Sequence, residues 1–119
     1  MFLKLCLWST VLLATAKGPL TSAHIEQLYL RHTRGTVLAS RHEARSFSRI
    51  IWKESRNQVN SANKHSTAYG LGQLLKSTRK RYGDYKDASG QVKATIRYII
   101  DRYGKPSRAL IFHEKKGWY

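Results

Sequence analysis

Chemistry that needs a carboxylate can come from only a few side chains of this sequence. The chain has 119 residues, with 22 Lys+Arg against 7 Asp+Glu and a formal net charge of +15. Carboxyl groups act as general acids and bases when their surroundings tune their acidity. The question is therefore which acid stands in an unusual environment. The acids are Glu26, Glu43, Glu54, Asp84, Asp87, Asp101 and Glu114.

Glu54 stands out because it falls on the apolar face of a helix predicted over 41–55. An apolar environment disfavours the ionised carboxylate and raises its pKa, which suits a general acid that protonates a leaving glycosidic oxygen. Helix geometry alone leaves a second interpretation open, in which Glu54 reaches solvent or pairs with an arginine. A sector of about 120° holds Ala44, Phe47, Ile50, Ile51 and Glu54, and also Glu43 at the opposite end, whereas Arg41, Arg45, Arg49 and Lys53 occupy the other side.

Metal and cofactor chemistry is not expected. The single cysteine, Cys6, excludes an intrachain disulfide framework and any zinc site built on several cysteines. The histidines at 24, 32, 42, 65 and 113 do not follow the spacing of a metal site. We therefore predict neither a metal ion nor a cofactor.

The basic excess predicts a polyanionic neighbour. A bacterial envelope, an acidic membrane surface and nucleic acid all fit this charge. Two groups of cations could contact phosphates, although a solvated helix face also accounts for each of them. They are the stripe Arg41, Arg45, Arg49 and Lys53 and the cluster Lys76, Arg79, Lys80 and Arg81.

The N-terminal segment has the layout of a secretory signal. An apolar run from Leu5 follows Lys4 and ends in the small-x-small pattern Ala14-Thr15-Ala16, which predicts cleavage after Ala16. The run is shorter than the ~20 residues that a membrane span needs. A first helix docked on the domain and an interfacial anchor remain alternatives. We therefore divide the chain into a signal-like or hydrophobic helical segment, 1–16, and a domain, 17–119.

The rest of the chain is patterned as helices, and no sustained alternation predicts strands. Thr21 or Ser22 is expected to cap a first helix that ends at Gly35. Gly83 and Gly104 are expected to end two later helices. The predicted fold class is a single all-α domain. The later helices are expected over 41–55, 74–82, 90–103 and 107–115.

Several separated motifs resemble those of the soluble lytic transglycosylases. They are a hydrophobic helix ending in Glu54-Ser55, an Asn-containing loop, the segment Tyr69-Gly70-Leu71-Gly72-Gln73 and the pair Ser77-Thr78. The region 102–113 and the closing Gly117-Trp118-Tyr119 resemble the variant found in phage virion and tail proteins. The resemblance covers about 46–119. It implies a lysozyme-like fold of the goose type.

The resemblance also implies an activity and a site. The family cleaves the β-1,4 bond between MurNAc and GlcNAc of peptidoglycan with a single catalytic Glu, here Glu54, and leaves a 1,6-anhydro-MurNAc end. His113 stands where the family usually has Asn, and its position alone favours a surface or packing role. Gly72 replaces a common Met, which would reduce one wall of the cleft. The implied substrate-binding residues are Ser55, Tyr69, Gly70, Leu71, Gln73, Phe112 and His113.

The implied partners are peptidoglycan glycan strands, anionic envelope polymers and other virion proteins, with nucleic acid second. The implied location is the virion, or the periplasm or cell wall after export. Two other functions remain open at this point. One is a hydrolytic lysozyme that uses Asp84 or Asp87 as a second acid, and the other is a basic nucleic-acid-binding or structural virion protein without activity.

Overall fold

The computed structural model describes residues 18–119, which form an all-α domain as expected. Between these residues there is no strand, and the only β-type pairings are isolated bridges from Tyr69 to Ala62 and to Leu74. None of the described helices is long and apolar enough to cross a membrane. The signal-like segment 1–16 lies outside the described residues. The helices are α1 (Ser22–Thr33), α2 (Arg41–Ser55), α3 (Lys76–Tyr82), α4 (Ala88–Tyr103) and α5 (Pro106–Lys116).

Local side-chain caps set the starts of three helices. Thr21 caps α1 by accepting a hydrogen bond from the His24 amide at 3.1 Å. Ser40 caps α2 in the same way, and Asp87 caps α4 by accepting from the Gly90 amide at 2.9 Å. Such caps satisfy amides that have no partner inside the helix. The Asp87 cap explains why α4 begins at Ala88 rather than at residue 90.

Helix α3 begins two residues later than the sequence predicts. The carbonyl oxygen of Leu74 accepts from the Tyr69 amide at 3.2 Å and from the Arg79 guanidinium at 2.5 Å. These bonds hold Leu74 in the preceding loop, so α3 starts only at Lys76. The loop and the helix are thereby joined into one wall of the site described below.

Helix α2 is the centre of the core and packs against both α1 and α5. Its apolar residues Phe47, Ile50 and Ile51 are fully buried, as the sequence pattern predicts. Each buried side chain of this size stabilises the fold by about 1.5–3 kcal/mol relative to an exposed one. The C-terminal end of α2, where Glu54 lies, is therefore firmly held.

Helix α4 packs against α1, α3 and α5. Val92, Ile96 and Ile99 on its apolar face are buried, whereas Ile100 is 40% exposed.

Glu43 shares the apolar sector of α2 with Glu54 but has a structural role. Its carboxylate accepts hydrogen bonds from both the amide and the hydroxyl of Ser107, each at 2.8 Å. Ser107 lies in the first turn of α5, where a negatively charged group interacts favourably with the positive end of the helix dipole. Glu43 therefore joins the start of α2 to the start of α5.

Candidate active site

Glu54 lies on the wall of a cleft of about 340 Å³ near the end of α2. The opposite walls come from the loop before α3, from α3 and α4, and from the last two residues. Within residues 18–119, no other Asp or Glu side chain lines this cleft. Its other lining residues are Gln73, Leu74, Leu75, Thr78, Tyr98, Arg102, Trp118 and Tyr119.

The carboxyl group of Glu54 is hydrogen-bonded to His113 of α5. The distance between Glu54 Oε2 and His113 Nε2 is 2.5 Å, and the two side chains are 17% and 9% exposed. No described residue hydrogen-bonds Glu54 Oε1, so this oxygen can meet a ligand. His113 is therefore neither a surface residue nor only a packing residue.

Burial raises the pKa of Glu54 above its ordinary value, although the hydrogen bond and charge of His113 act in the opposite direction. This is the direction predicted from the apolar face of α2. A carboxyl group with a raised pKa keeps its proton at a higher pH and can act as a general acid there. The partner of Glu54 among the described residues is His113 and not an arginine.

A pH dependence of stability follows from this raised pKa. Between pH 4.5, the ordinary pKa of Glu54, and its higher folded-state pKa, the folded chain retains a proton that the unfolded chain has lost. The stabilisation from Glu54 is present below pH 4.5 and is lost as the pH rises through the folded-state pKa. Urea unfolding should therefore show wild type losing more stability than Glu54→Gln as the pH rises from 4.5 towards neutrality. If the free energies of unfolding of the two proteins change in parallel with pH, the pKa of Glu54 is not raised.

Each of the other acids has a partner elsewhere in the fold. None of them lines the cleft beside Glu54. Within residues 18–119, no three His, Cys, Asp or Glu side chains are grouped so that they could hold a metal ion. The partners are Ser48 for Glu26, Ser107 for Glu43, Arg79 for Asp84, the Gly90 amide for Asp87, Tyr82 for Asp101 and Arg49 for Glu114.

Gln73 is a predicted substrate-binding residue that lines the cleft. Its side-chain NH₂ donates to the carbonyl oxygens of Ser61 and Gly70, both at 2.9 Å. These bonds fix the side chain, and no described residue hydrogen-bonds its Oε1. An amide oxygen held in this way can accept a hydrogen bond from a sugar hydroxyl.

Gly70 and Leu71 do not line the cleft but lie in the loop that forms one of its walls. Leu71 is fully buried in the core, and its amide donates to Gln91 Oε1 at 2.8 Å. Gly70 has a φ of +81°, and a Cβ there would lie 2.6 Å from Gln91 Oε1. Gly70 therefore permits the close approach of Gln91 rather than of a glycan.

Gln91 is a positioning residue that sequence reasoning missed. Besides accepting from the Leu71 amide, its NH₂ donates to the carbonyl oxygens of Val59 and Tyr85, both at 3.0 Å. The side chain thus ties the loop before α3 to α4. No sequence motif marks Gln91 for this role, because a polar residue beside an apolar helix face is common and its partners lie in other segments of the chain.

Ser55, Phe112 and Tyr69 are predicted site residues that do not line the cleft. Ser55 is buried, and its hydroxyl donates to the Ile51 carbonyl oxygen at 3.1 Å. Phe112 packs against Trp118, with ring centroids 5.0 Å apart. Tyr69 pairs with Leu74 in the loop. These residues shape the walls from outside the cleft.

Trp118 and Tyr119 form an aromatic wall beside Glu54 that the sequence resemblance does not assign. The Tyr119 hydroxyl donates to the Gly72 carbonyl oxygen at 2.6 Å. A Cβ at Gly72 would collide with Thr95, so the Met common at this position in the family does not fit. Burial raises the pKa of Tyr119 well above its ordinary value, and the charge of Glu54 raises it further. The hydroxyl therefore keeps its proton and remains a hydrogen-bond donor.

The cleft continues into a second groove of about 520 Å³ between α3 and α4. Thr78, Tyr98 and Arg102 line both spaces, whereas Asp101, which accepts a hydrogen bond from the Tyr82 hydroxyl, lines only the groove. The Arg102 guanidinium donates to the Tyr98 hydroxyl at 3.3 Å and lies 5.6 Å from the Trp118 ring centroid. The combined surface is elongated, polar and aromatic, which suits an extended polar chain.

Comparisons with models of protein families, with curated proteins and with solved structures find no match to this chain. Any function assigned to the chain therefore depends on the residues of the site itself.

Proposed function

We propose that this chain is a lytic transglycosylase with a lysozyme-like fold, which cleaves the MurNAc–GlcNAc β-1,4 bond of peptidoglycan. One observation carries the proposal. Glu54 has a raised pKa and an oxygen that no described residue bonds, and it lines a cleft in which residues 18–119 place no second Asp or Glu side chain. The motifs around Glu54-Ser55 and Gly70–Gln73 point to the same family.

The reaction requires one residue that first donates and then accepts a proton. Glu54 Oε1 gives its proton to the glycosidic oxygen as the bond from that oxygen to C1 of MurNAc breaks, with assistance from the substrate's N-acetyl group. The 6-hydroxyl oxygen of the same sugar then bonds to C1, and its proton returns to Glu54. No water is consumed, and the product carries a 1,6-anhydro end.

His113 acts between these two steps as a positioning residue. When its Nε2–H donates to Glu54 Oε2, it stabilises the carboxylate that exists after the first proton transfer. A donor aimed at a developing negative charge lowers the barrier to forming that charge. The same bond fixes the carboxyl group so that Oε1 is directed to the substrate.

The other cleft residues fit a glycan strand. Gln73 offers a fixed amide oxygen for a sugar hydroxyl, and Trp118 offers an aromatic surface. Binding sites of this kind combine apolar and aromatic walls with a few placed polar groups. The groove continuing past Arg102 gives room for further sugars.

A hydrolytic lysozyme with two carboxylates receives less support. Glycosidases that use two acids place the carboxyl groups about 5–9.5 Å apart across the scissile bond. Asp84 is bonded to Arg79, and Asp87 caps α4; neither lines the cleft. The one-carboxylate mechanism therefore accounts better for this site.

Purified peptidoglycan provides the direct test of activity. We expect the protein to clear a suspension of peptidoglycan and to release soluble fragments of its glycan strands. A cell-wall enzyme of this kind would act after export or from a virion, and the phage-like C-terminal segment favours local wall penetration by a phage. Failure to release any fragments would contradict the proposal, and fragments with only ordinary reducing ends would reassign the chain as a hydrolase.

A further inference from the structure

A further groove, of about 690 Å³ and distinct from the one between α3 and α4, lies across the C-terminal half of α2. We call it the basic groove. It contains Arg49, Trp52, Lys53 and Arg56, and it is bordered by Ser22 at the start of α1 and by His113 of α5. None of these residues lines the cleft beside Glu54. Apart from His113, which also bonds Glu54, the basic groove is thus a separate surface whose residues the proposed reaction does not use.

The cations of the basic groove are part of a longer exposed row. Arg41 and Arg45 continue it along α2 at the same four-residue spacing, and all five cations are exposed. At 1.5 Å per residue, the row from Arg41 to Arg56 extends over about 22 Å. Cations spread in this way match a linear polymer with repeated charges better than one small anion.

Two carboxylates lie near the basic groove. Glu114 is 3.8 Å from Arg49, but both side chains are largely exposed, and exposed pairs of this kind contribute little. Glu26 accepts a hydrogen bond from Ser48, which also borders the groove. These two charges do not balance the row, so the surface retains a positive potential.

Trp52 indicates which kind of polyanion fits. Its side chain is 46% exposed, and the Arg56 guanidinium lies over the ring at 4.8 Å from its centroid. One face of the indole is therefore covered, and Trp52 is the only Phe, Trp or Tyr among the described residues of the groove, so successive bases would find at most one stacking surface. The remaining face can pack against a sugar or polyol while the neighbouring cations bind phosphates. This favours a phosphate-bearing glycopolymer over single-stranded nucleic acid, which binds by stacking of successive bases.

We propose that the basic groove binds a phosphodiester-linked polyol or sugar polymer of the cell envelope, of the teichoic-acid type. The choice of the envelope rests on the proposed function. Because the groove and the cleft share no lining residue, both can be occupied at once. Binding of the polymer then raises the local concentration of glycan at the cleft, as linked binding sites do.

A matched pair of triple variants tests this proposal. The groove variant is Arg49→Gln, Lys53→Gln and Arg56→Asn; Asn is chosen because residue 56 has a φ of +53°, which Asn tolerates. The control variant, Lys86→Gln, Lys93→Gln and Lys105→Gln, removes the same charge from exposed residues outside both groups of cations. Sedimentation with purified cell walls, with and without extracted teichoic acid, is measured at several salt concentrations.

We expect the groove variant to bind intact walls about tenfold more weakly than wild type, with a shallower salt dependence because fewer counterions are released. The control should stay within about twofold of wild type by the same measure. On walls stripped of teichoic acid all three proteins should bind alike. Thermal melting of each variant checks that the fold is retained.

Two results would overturn the proposal. Equal weakening of both variants would show that only the net charge matters. Loss of single-stranded DNA binding in the groove variant, with wall binding unchanged, would make the groove a nucleic-acid site.

Cleavage of soluble, polymer-free glycan strands is measured in parallel, and the groove variant should retain it. Absence of cleavage by wild type would instead contradict the proposed function while leaving the binding result to stand.

Discussion

Replacement of Glu54 by Gln is expected to lower the rate of peptidoglycan cleavage by about a thousandfold, within the range that general acid–base catalysis contributes. The amide cannot donate its proton to the glycosidic oxygen or accept one from the 6-hydroxyl. Gln has nearly the same shape and can still hydrogen-bond His113, so folding and glycan binding should persist. The measurement is the rate of fragment release, together with sedimentation of the variant with peptidoglycan.

Glu43→Gln is the matched control for this prediction because Glu43 lies on the same face of α2. Among residues 18–119 its carboxylate bonds Ser107 of α5 alone. The substitution should therefore lower the melting temperature and leave the rate of cleavage unchanged at temperatures well below it. Full activity of Glu54→Gln in a peptidoglycan gel would rule out Glu54 as the catalytic residue.

Replacement of His113 by Ala should have the second largest effect, a fall in kcat of about a hundredfold, at the lower end of the same range. The variant loses the donor that stabilises the Glu54 carboxylate. Because His113 lowers the pKa of Glu54, its removal should also move the alkaline limb of the pH–rate profile to higher pH. Steady-state kinetics over a range of pH measures both changes.

His113→Asn distinguishes positioning from packing in this account. Asn carries an N–H donor that can approach Glu54 Oε2, and it is the usual residue here in the family that the chain resembles. It should therefore recover part of the lost kcat. If both variants merely melt at lower temperature and keep the wild-type pH–rate profile, the role of His113 is structural.

The local features of the fold could be predicted because they depend on neighbouring residues. The spacing of Phe47, Ile50 and Ile51 places α2 and its buried face correctly, and it singles out Glu54 as a carboxyl group on that face. The cap at Thr21 follows from a side chain within one turn of the helix it caps. Each of these signals is contained in fewer than about four turns of helix.

The remaining features of the site depend on contacts between distant parts of the chain. His113 is 59 residues from Glu54 in sequence, and Gln91 is 20 residues from Leu71. Neither contact has a periodic pattern that could reveal it. The start of α3 was misplaced for the same reason, because the bonds to the carbonyl oxygen of Leu74 override its helical pattern.

The hydrogen-bond partners of the acidic residues could not be predicted from the sequence for the same reason. Glu43 and Glu54 share a sector of α2, and the sequence cannot tell which of them is used by the fold. Only the packing of α5 shows that Glu43 is bonded to Ser107 while Glu54 remains at a cleft. The tertiary structure therefore separates a structural acid from a candidate catalytic one.

The mass of the products released from peptidoglycan tests the central claim most directly. Wild type and Glu54→Gln are incubated side by side with the same purified peptidoglycan, and the soluble fragments are analysed by mass spectrometry. The account predicts fragments from wild type that are lighter than the reducing-end products by one water, and about a thousandfold fewer from the variant in the same time. Reducing-end fragments from wild type, or anhydro fragments from both proteins in equal amount, would contradict it.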